Sequence, residues 1–328
     1  MTNINPDPAR RCRPSVGRSW WERSVDQATA GYDVPLPAFA RGAGAAGFAA
    51  LEVAAHHVAA AERTLGTGPL QHLLDAAGVR IARISCGTGV PADLTVPAAA
   101  WPQALRRWNS TCALAARYRH HRAELTVFVP RPASPGAGLD AATLTRRALE
   151  LARAAAAHGI ALHVEIHDPF HLARAGWLWE SWRAAEPAAT PKLLVDTATY
   201  AVVFDDPATA IGALPVGSVG WVQVADVVFD AAQGPPRRVL PGTGQTDWAG
   251  VLHACAAVGY HSALSVEVPC AAVPRSAART ATGGSLRGDS PQPHMESDVT
   301  AELLRRAAAA LTAVLHSVDT GLETDDAV

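Results

Sequence analysis

The stretch LDAATLTRRALELARAAAAHGIALHVEIHDP, residues 139–169, sets an amphipathic helix directly before a short buried strand. Leu144, Ala148, Leu151, Ala152 and Ala155 recur at helical spacing, and Gly159 supplies the left-handed turn that closes such a helix. The IALHVEI segment (160–166) follows at once. Alternation along it puts His163, Glu165 and His167 on one face and Leu162, Val164 and Ile166 on the other. A carboxylate among aliphatic neighbours is costly to bury unless it is paired or bound to a cation, so Glu165 marks a place where chemistry is expected.

Outward from this unit the same alternation fills most of the 328 residues. Strands are expected at 48–53 (FAALEV), 79–85 (VRIARIS), 124–130 (ELTVFVP), 191–197 (PKLLVDT), 219–226 (VGWVQVAD) and 263–269 (ALSVEVP), with a weak first strand near 14–19. Helical spacing covers 36–46, 60–78, 99–118, 171–186, 206–214, 246–259 and 299–316. Short strands alternating with helices predict a parallel sheet with covering helices, here an α/β fold closed as a single (β/α)8 TIM barrel over 14–316. The Pro-, Gly- and Ser-rich segment 271–297 is unusually long for a connection and reads as an insertion, either partly disordered or a flap. Residues 1–13 read as an arm and 317–328 as an acidic tail.

Hydrophobic residues make up 49% of the chain and charged residues 18%, which is ample for one large core and too little charge for a disordered chain. Lys and Arg number 28 against 30 Asp and Glu. Beyond Arg10, Arg11, Arg13 and Arg18 no basic stripe forms, so no nucleic-acid partner is expected. No stretch approaches the ~18 apolar residues of a membrane span and the N-terminus has no apolar leader core, so a cytoplasmic protein without membrane contact is expected. Cys12, Cys86, Cys112, Cys255 and Cys270 form no C-x-x-C pair and read as core thiols.

In a barrel, chemistry sits where strands end. Besides Glu165, KLLVDTATY ends on Asp196, which serves equally well as a helix cap. VGWVQVAD sets Trp221, Gln223 and Ala225 on one face and Asp226 on the other; either Gln223 or Asp226 can meet the mouth, and Asp226 can instead cap the next turn. ALSVEVP carries Glu267 between two valines, with an inward arginine as its plain alternative partner. Glu, Asp, Gln and Glu on four successive strands converge in a closed barrel, and such an all-oxygen set suits Mn²⁺, Mg²⁺ or Co²⁺ better than structural zinc. Glu52 in FAALEV is either a substrate contact or the partner of a buried arginine such as Arg83.

The run from the Gln223 strand through RRVLPGTGQTDWAGVLHACAAVGYHSALSVE (237–267) resembles the xylose-isomerase-like superfamily of TIM barrels, over residues 34–270. That superfamily holds sugar isomerases and epimerases, inosose and 3-dehydroshikimate dehydratases, and type IV AP endonucleases. The resemblance implies that Glu165, Asp196, Gln223 and Glu267 are metal ligands. Many isomerases and epimerases have histidine at the position of Gln223, and glutamine there is similar to some dehydratases. The family often has histidine three residues after the strand aspartate, where this chain has Thr199, so His163, His167 or His171 is expected to take over that substrate contact or base. The nuclease branch's histidine-rich three-metal cluster is not matched.

The expected protein is therefore a divalent-metal-dependent isomerase or epimerase acting on a keto-sugar or related polyhydroxylated carbonyl compound through an enediolate. Glu165, Glu267 and His167 are the candidate acid and base groups. His163, His171, Arg238, Trp177 and Glu52 are the candidate substrate contacts, with Arg238 suited to a carboxylate or phosphate through its planar fork. The cofactor expected is one divalent cation, Mn²⁺ first, with Mg²⁺, Co²⁺ or Zn²⁺ as alternatives, and no organic cofactor. Two further readings stand beside this one: a metal-dependent dehydratase of an inosose-like or 3-dehydroshikimate-like substrate, and a non-catalytic sugar-binding barrel. A cysteine nucleophile at Cys86 or Cys270 lacks an evident base. The aromatic N-terminus, Trp20 and Trp21, is compatible with a roof over the mouth or with a homodimer.

Overall fold

The computed structural model describes residues 21–30, 33–86, 94–132, 138–230, 232, 234–268 and 293–325, with side chains in the last stretch over 300–318. Eight parallel strands close into a barrel in sequence order. They are β1 (Glu22–Asp26), β2 (Ala50–Ala54), β3 (Arg80–Ser85), β4 (Glu124–Val129), β5 (Leu162–Ile166), β6 (Lys192–Asp196), β7 (Val219–Val224) and β10 (Ala263–Val266), which pairs back onto β1. A separate antiparallel pair, β8 (Asp226–Val228) with β9 (Arg237–Val239), follows β7.

The helices are α1 (Leu36–Ala45), α2 (Ala55–Leu65), α3 (Thr67–Ala76), α4 (Trp101–Ala116), α5 (Ala141–Ala156), α6 (Pro169–Leu172), α7 (Ala175–Ala185), α8 (Thr197–Val203), α9 (Pro207–Gly212), α10 (Trp248–Ala257) and α11 (Pro293–Asp325). The α5–β5 unit forms as its sequence requires. Asp140 caps α5 by accepting from the Thr143 amide at 2.8 Å, and the helix buries Leu144, Ala148, Leu151, Ala152 and Ala155. α11 runs longer than the expected 299–316 and takes in most of the acidic tail. The expected first strand at 14–19 lies outside the described residues, and so does the insertion up to residue 292. The barrel's first strand is instead Glu22–Asp26, fixed in register by pairing Ser24 with Ala50 and Val25 with Val266.

The outward faces of the strands and the helices share one large core, whereas Ala50, Ala82, Leu194, Trp221 and Ala263 form a small apolar plug of their own. Two residues further along their strands than plug members stand Glu52, Asp196, Gln223 and Ser265, and Glu267 follows two residues after Ser265, just past the end of β10. Period-2 alternation thus stacks the polar ring on the apolar plug.

A buried charged network joins the two levels. Arg83, fully buried, lies 4.3 Å over the Trp221 ring and 3.7 Å from a Glu52 oxygen, and it also donates to Thr126 and contacts His163 Nδ1. Burial, together with the charges of Arg83 and Lys192, holds His163 well below the ordinary imidazole value, so it sits neutral in the wall. Room for its ring comes from Gly220, a bulge residue where β7 slips against β6. A Cβ there would stand 2.3 Å from His163 Nε2.

Arg83→Leu is expected to destabilise the protein by about 3–5 kcal/mol, because it leaves Glu52 buried without its cation. Denaturant unfolding checks this, and Arg83→Leu combined with Glu52→Leu should recover part of the loss.

Candidate active site

Four polar side chains of the ring come from the strand ends read in the sequence. Asp196 and Gln223 are direct partners across β6 and β7, Gln223 faces Ser265 across β7 and β10, and the Glu267 amide donates to the Val224 carbonyl at 3.2 Å. Donor atoms of Glu165, His167 and Asp196 lie within 4.8 Å of one another. Glu165 is paired with His167 at 2.7 Å.

Arg238, carried on β9, spans the ring from the side. It donates to Glu267 at 2.6 Å and also to Asp196, and its Nη2 stands 3.4 Å from Thr199 Oγ1. Thr199, the residue that replaces the expected histidine, donates to Asp196 at 2.5 Å. Arg238 is held there by the loop that follows β9. Asp226 accepts from the Gly244 and Thr246 amides, each at 2.9 Å, and from Trp248 Nε1 at 3.1 Å. Gly244 is required for that approach, since a Cβ would meet an Asp226 oxygen at 2.4 Å and the Val227 carbonyl at 2.6 Å. Asp226 is thus the turn cap of the two readings, and Gln223 is the residue that faces inward.

Burial and the neighbouring charges together set the electrostatics. Burial and then Arg238 act in opposite directions on Glu267, and burial wins, pushing its carboxyl up to about 8, with Asp196 and Glu165 adding repulsion. Burial would also raise Asp196, but Arg238 and His167 outweigh it and hold the group below its ordinary value. Burial would lower His167, but Glu165 overrides it and raises the imidazole to about 9. Glu52 is pushed up to about 7 by burial, against the pull of Arg83.

The sequence reading missed one member. Asp26, at the end of β1, is 4% exposed, and its carboxyl is raised well above the ordinary value by burial and by Glu52 and Glu267. The signal lay in ERSVD, where Glu22, Ser24 and Asp26 share a face.

Several expected contacts stand elsewhere. Glu52 is fully buried, accepting from Trp221 Nε1 at 3.1 Å and Gln223 Nε2 at 3.0 Å beside Arg83, so its arginine-partner reading is the one realised. His163 is 1% exposed, deep in the wall between Arg83 and Glu124, because it is one alternation below Glu165. His171, on α6, is buried with Nε2 2.7 Å from the Leu139 carbonyl, so it ties α6 to the start of α5. Trp177 is 58% exposed on α7 and lines an outer groove against α5, because α7 turns that face away from the barrel. Trp21 precedes β1 and packs 5.7 Å from Tyr260, which precedes β10, at the end of the barrel opposite the mouth. Cys86 is buried, and burial pushes its thiol far up, so no thiolate is available; Cys270 lies outside the described residues.

A divalent cation fits this ring on two observations. Gln223 Oε1 is a buried acceptor with no hydrogen-bond partner, while its amide nitrogen is committed to Glu52. Burial, with repulsion from neighbouring carboxylates added to it, raises the Asp26 and Glu267 carboxyls, so the acids around it lack compensating positive charge. Above the ring, a cavity of about 350 Å³ opens between the ends of β4, β5 and β6 and the β8–β9 pair, with Arg131, His167, Thr199 and Arg238 on its wall.

The model of the xylose isomerase-like TIM barrel family matches residues 40–287. No curated protein matches the chain. Among solved structures, the chain is similar to a protein titled IOLI with a binding zinc atom (TM-score 0.68, 11% identity, covering 90% of this chain and 99% of that one). It is also similar to L-ribulose 3-epimerase (TM-score 0.63, 18% identity, covering 94% and 98%). It spans 44% of a xylose isomerase-like TIM barrel/4-hydroxyphenylpyruvate dioxygenase fusion protein, at a TM-score of 0.65 and 18% identity over 93% of this chain. At these identities the structural likeness carries the fold. No helix of the described residues is long and apolar enough to cross a membrane.

Without added metal, Glu267→Gln should change how stability depends on pH. A carboxyl raised to about 8 makes the folded wild type bind more protons than the unfolded chain between about 4.5 and 8, so wild-type stability falls as pH rises through that window. The variant, which has no proton to lose there, should gain on the wild type over the same range in thermal melts.

Proposed function

The chain belongs to the xylose isomerase-like TIM barrel family, and on that premise we propose that it is a divalent-metal-dependent isomerase or epimerase of a keto-sugar or related carbonyl compound. The observation that carries the reading is the convergence of Glu165, Asp196, Gln223 and Glu267 at one barrel end, with Gln223 Oε1 left as an unpartnered acceptor among them. These four residues would hold the cation, Mn²⁺ first among Mn²⁺, Mg²⁺, Co²⁺ and Zn²⁺. When bound, the ion supplies electron withdrawal at a substrate carbonyl and makes a neighbouring C–H more acidic.

The chain's own groups then divide the proton work. Glu267, at the end of the strand that closes the barrel and beside the cation it would help hold, would accept and return a carbon-bound proton. Its removal leaves an enediolate. His167, paired with Glu165 at 2.7 Å and lining the cavity, would donate a proton to substrate oxygen. Glu165 is the second carboxylate and would meet the opposite side of the reacting carbons. Return of the proton to the neighbouring carbon gives isomerisation, and return to the other face gives epimerisation. Arg238 pairs with Asp196 and Glu267, and would offer its fork to substrate oxygen when they are engaged elsewhere. Dehydration of an inosose-like or dehydroshikimate-like compound is the second reading, favoured by glutamine rather than histidine at 223.

The purified chain, dialysed against Mn²⁺ and cleared of free ion, should retain about one ion per chain, and Glu267→Gln should retain less. Loss of the carbon acid-base group should also lower ketose proton exchange with solvent deuterium by about 10²–10⁴-fold. No retained ion in the wild type would remove the basis of this function.

A further inference from the structure

Resting on the reading of this mouth as a catalytic site, we propose that Arg131 is a specificity-determining residue that binds an anionic group, a carboxylate or a phosphate, on the substrate end remote from the reacting carbons. Charge balance makes the case first. Each acid on the reacting side of the cavity already has a cation: Glu165 has His167, and Asp196 and Glu267 share Arg238. Arg131, directly beyond β4, lines the same cavity, is exposed, and makes no ion pair with any described residue. Its guanidinium therefore lines the cavity with no carboxylate engaged among the described residues, which leaves its fork available to an anionic ligand group.

The chemistry of the wall makes the case a second time. Pro130, Ala198, Val202, Val227 and Pro236 are five of the nine residues lining the cavity, and none has a side chain that hydrogen-bonds. A ligand arm lying here is not recognised hydroxyl by hydroxyl, as a neutral sugar would need. It is recognised by a charged end that reaches an arginine fork across an apolar wall, where water competes less well for the pair. Arg131 is separate from the groups assigned to proton transfer and metal holding, so its loss should leave the basal site intact.

The test uses the full chain loaded with Mn²⁺ and three probes that differ at one end: D-fructose, D-fructose 6-phosphate and D-fructuronate. Dissociation constants come from calorimetry, and kcat and KM come from solvent deuterium exchange, for wild type, Arg131→Met and Arg131→Lys. At least one anionic probe should bind about tenfold or more tightly than D-fructose, consistent with a charge-assisted hydrogen bond. Which of the two does so separates phosphate from carboxylate. Arg131→Met should erase that preference through KM with D-fructose unchanged, Arg131→Lys should keep part of it, and raising salt from about 0.05 to about 0.5 M should weaken only the anionic probe. Equal affinity for all three, failure of both anionic probes to bind, or an equal loss on all three in Arg131→Met would overturn the proposal. Anion binding through Arg131 without any proton exchange would overturn the isomerase reading alone.

Discussion

Mutual repulsion among carboxylates is the constraint on which the mouth of this barrel is built. Asp26, Glu52, Glu165, Asp196 and Glu267 come from five strand ends and act electrostatically on one another. Two like charges about 4 Å apart cost about 4 kcal/mol even at an effective dielectric constant near 20, so such a ring cannot ionise fully by itself. Three side-chain cations meet these acids among the described residues: Arg83 at Glu52, His167 at Glu165, and Arg238 at Asp196 and Glu267. Among the described residues Asp26 has the Ala28 amide at 2.6 Å and no cation, and burial pushes its carboxyl up, as it does those of Glu267 and Glu52. Five acids against three cations leave two charges unmatched, which a divalent ion at Gln223 Oε1 would supply.

The remaining architecture serves that ring. The apolar plug beneath it keeps water from entering from below, Arg83 spans from the plug to Glu52, and the bulge at Gly220 gives His163 its place in the wall. On the other side the β8–β9 pair, locked by Asp226 to the Gly244 loop, brings Arg238 over the acids. The loop that resembles a sugar-isomerase motif thus has a physical task, which is to deliver an arginine at a fixed height above the strands.

Much of this was legible in the sequence because burial writes itself into alternation. Glu165, Gln223 and Glu267 stand out between aliphatic neighbours, and their inward faces follow from period 2. Three things were not legible. β1 has Val25 as its one aliphatic residue, so its weak pattern hid Asp26. β8 and β9 are three residues each and are set in a Gly- and Pro-rich stretch, too short for periodicity to register. Whether a polar residue such as His163, His171 or Trp177 meets the cavity depends on its height along the barrel axis or on which face of a helix turns outward, and local pattern does not encode either.

The central claim, that these strand ends make one cation site, is tested most directly by anomalous scattering from crystals grown with Mn²⁺. The account predicts a single strong peak within coordination distance of oxygens from Glu165, Asp196, Gln223 and Glu267, with Arg238 withdrawn from at least one of its two acids. No peak at the mouth, with Arg238 still bridging Asp196 and Glu267, would contradict it.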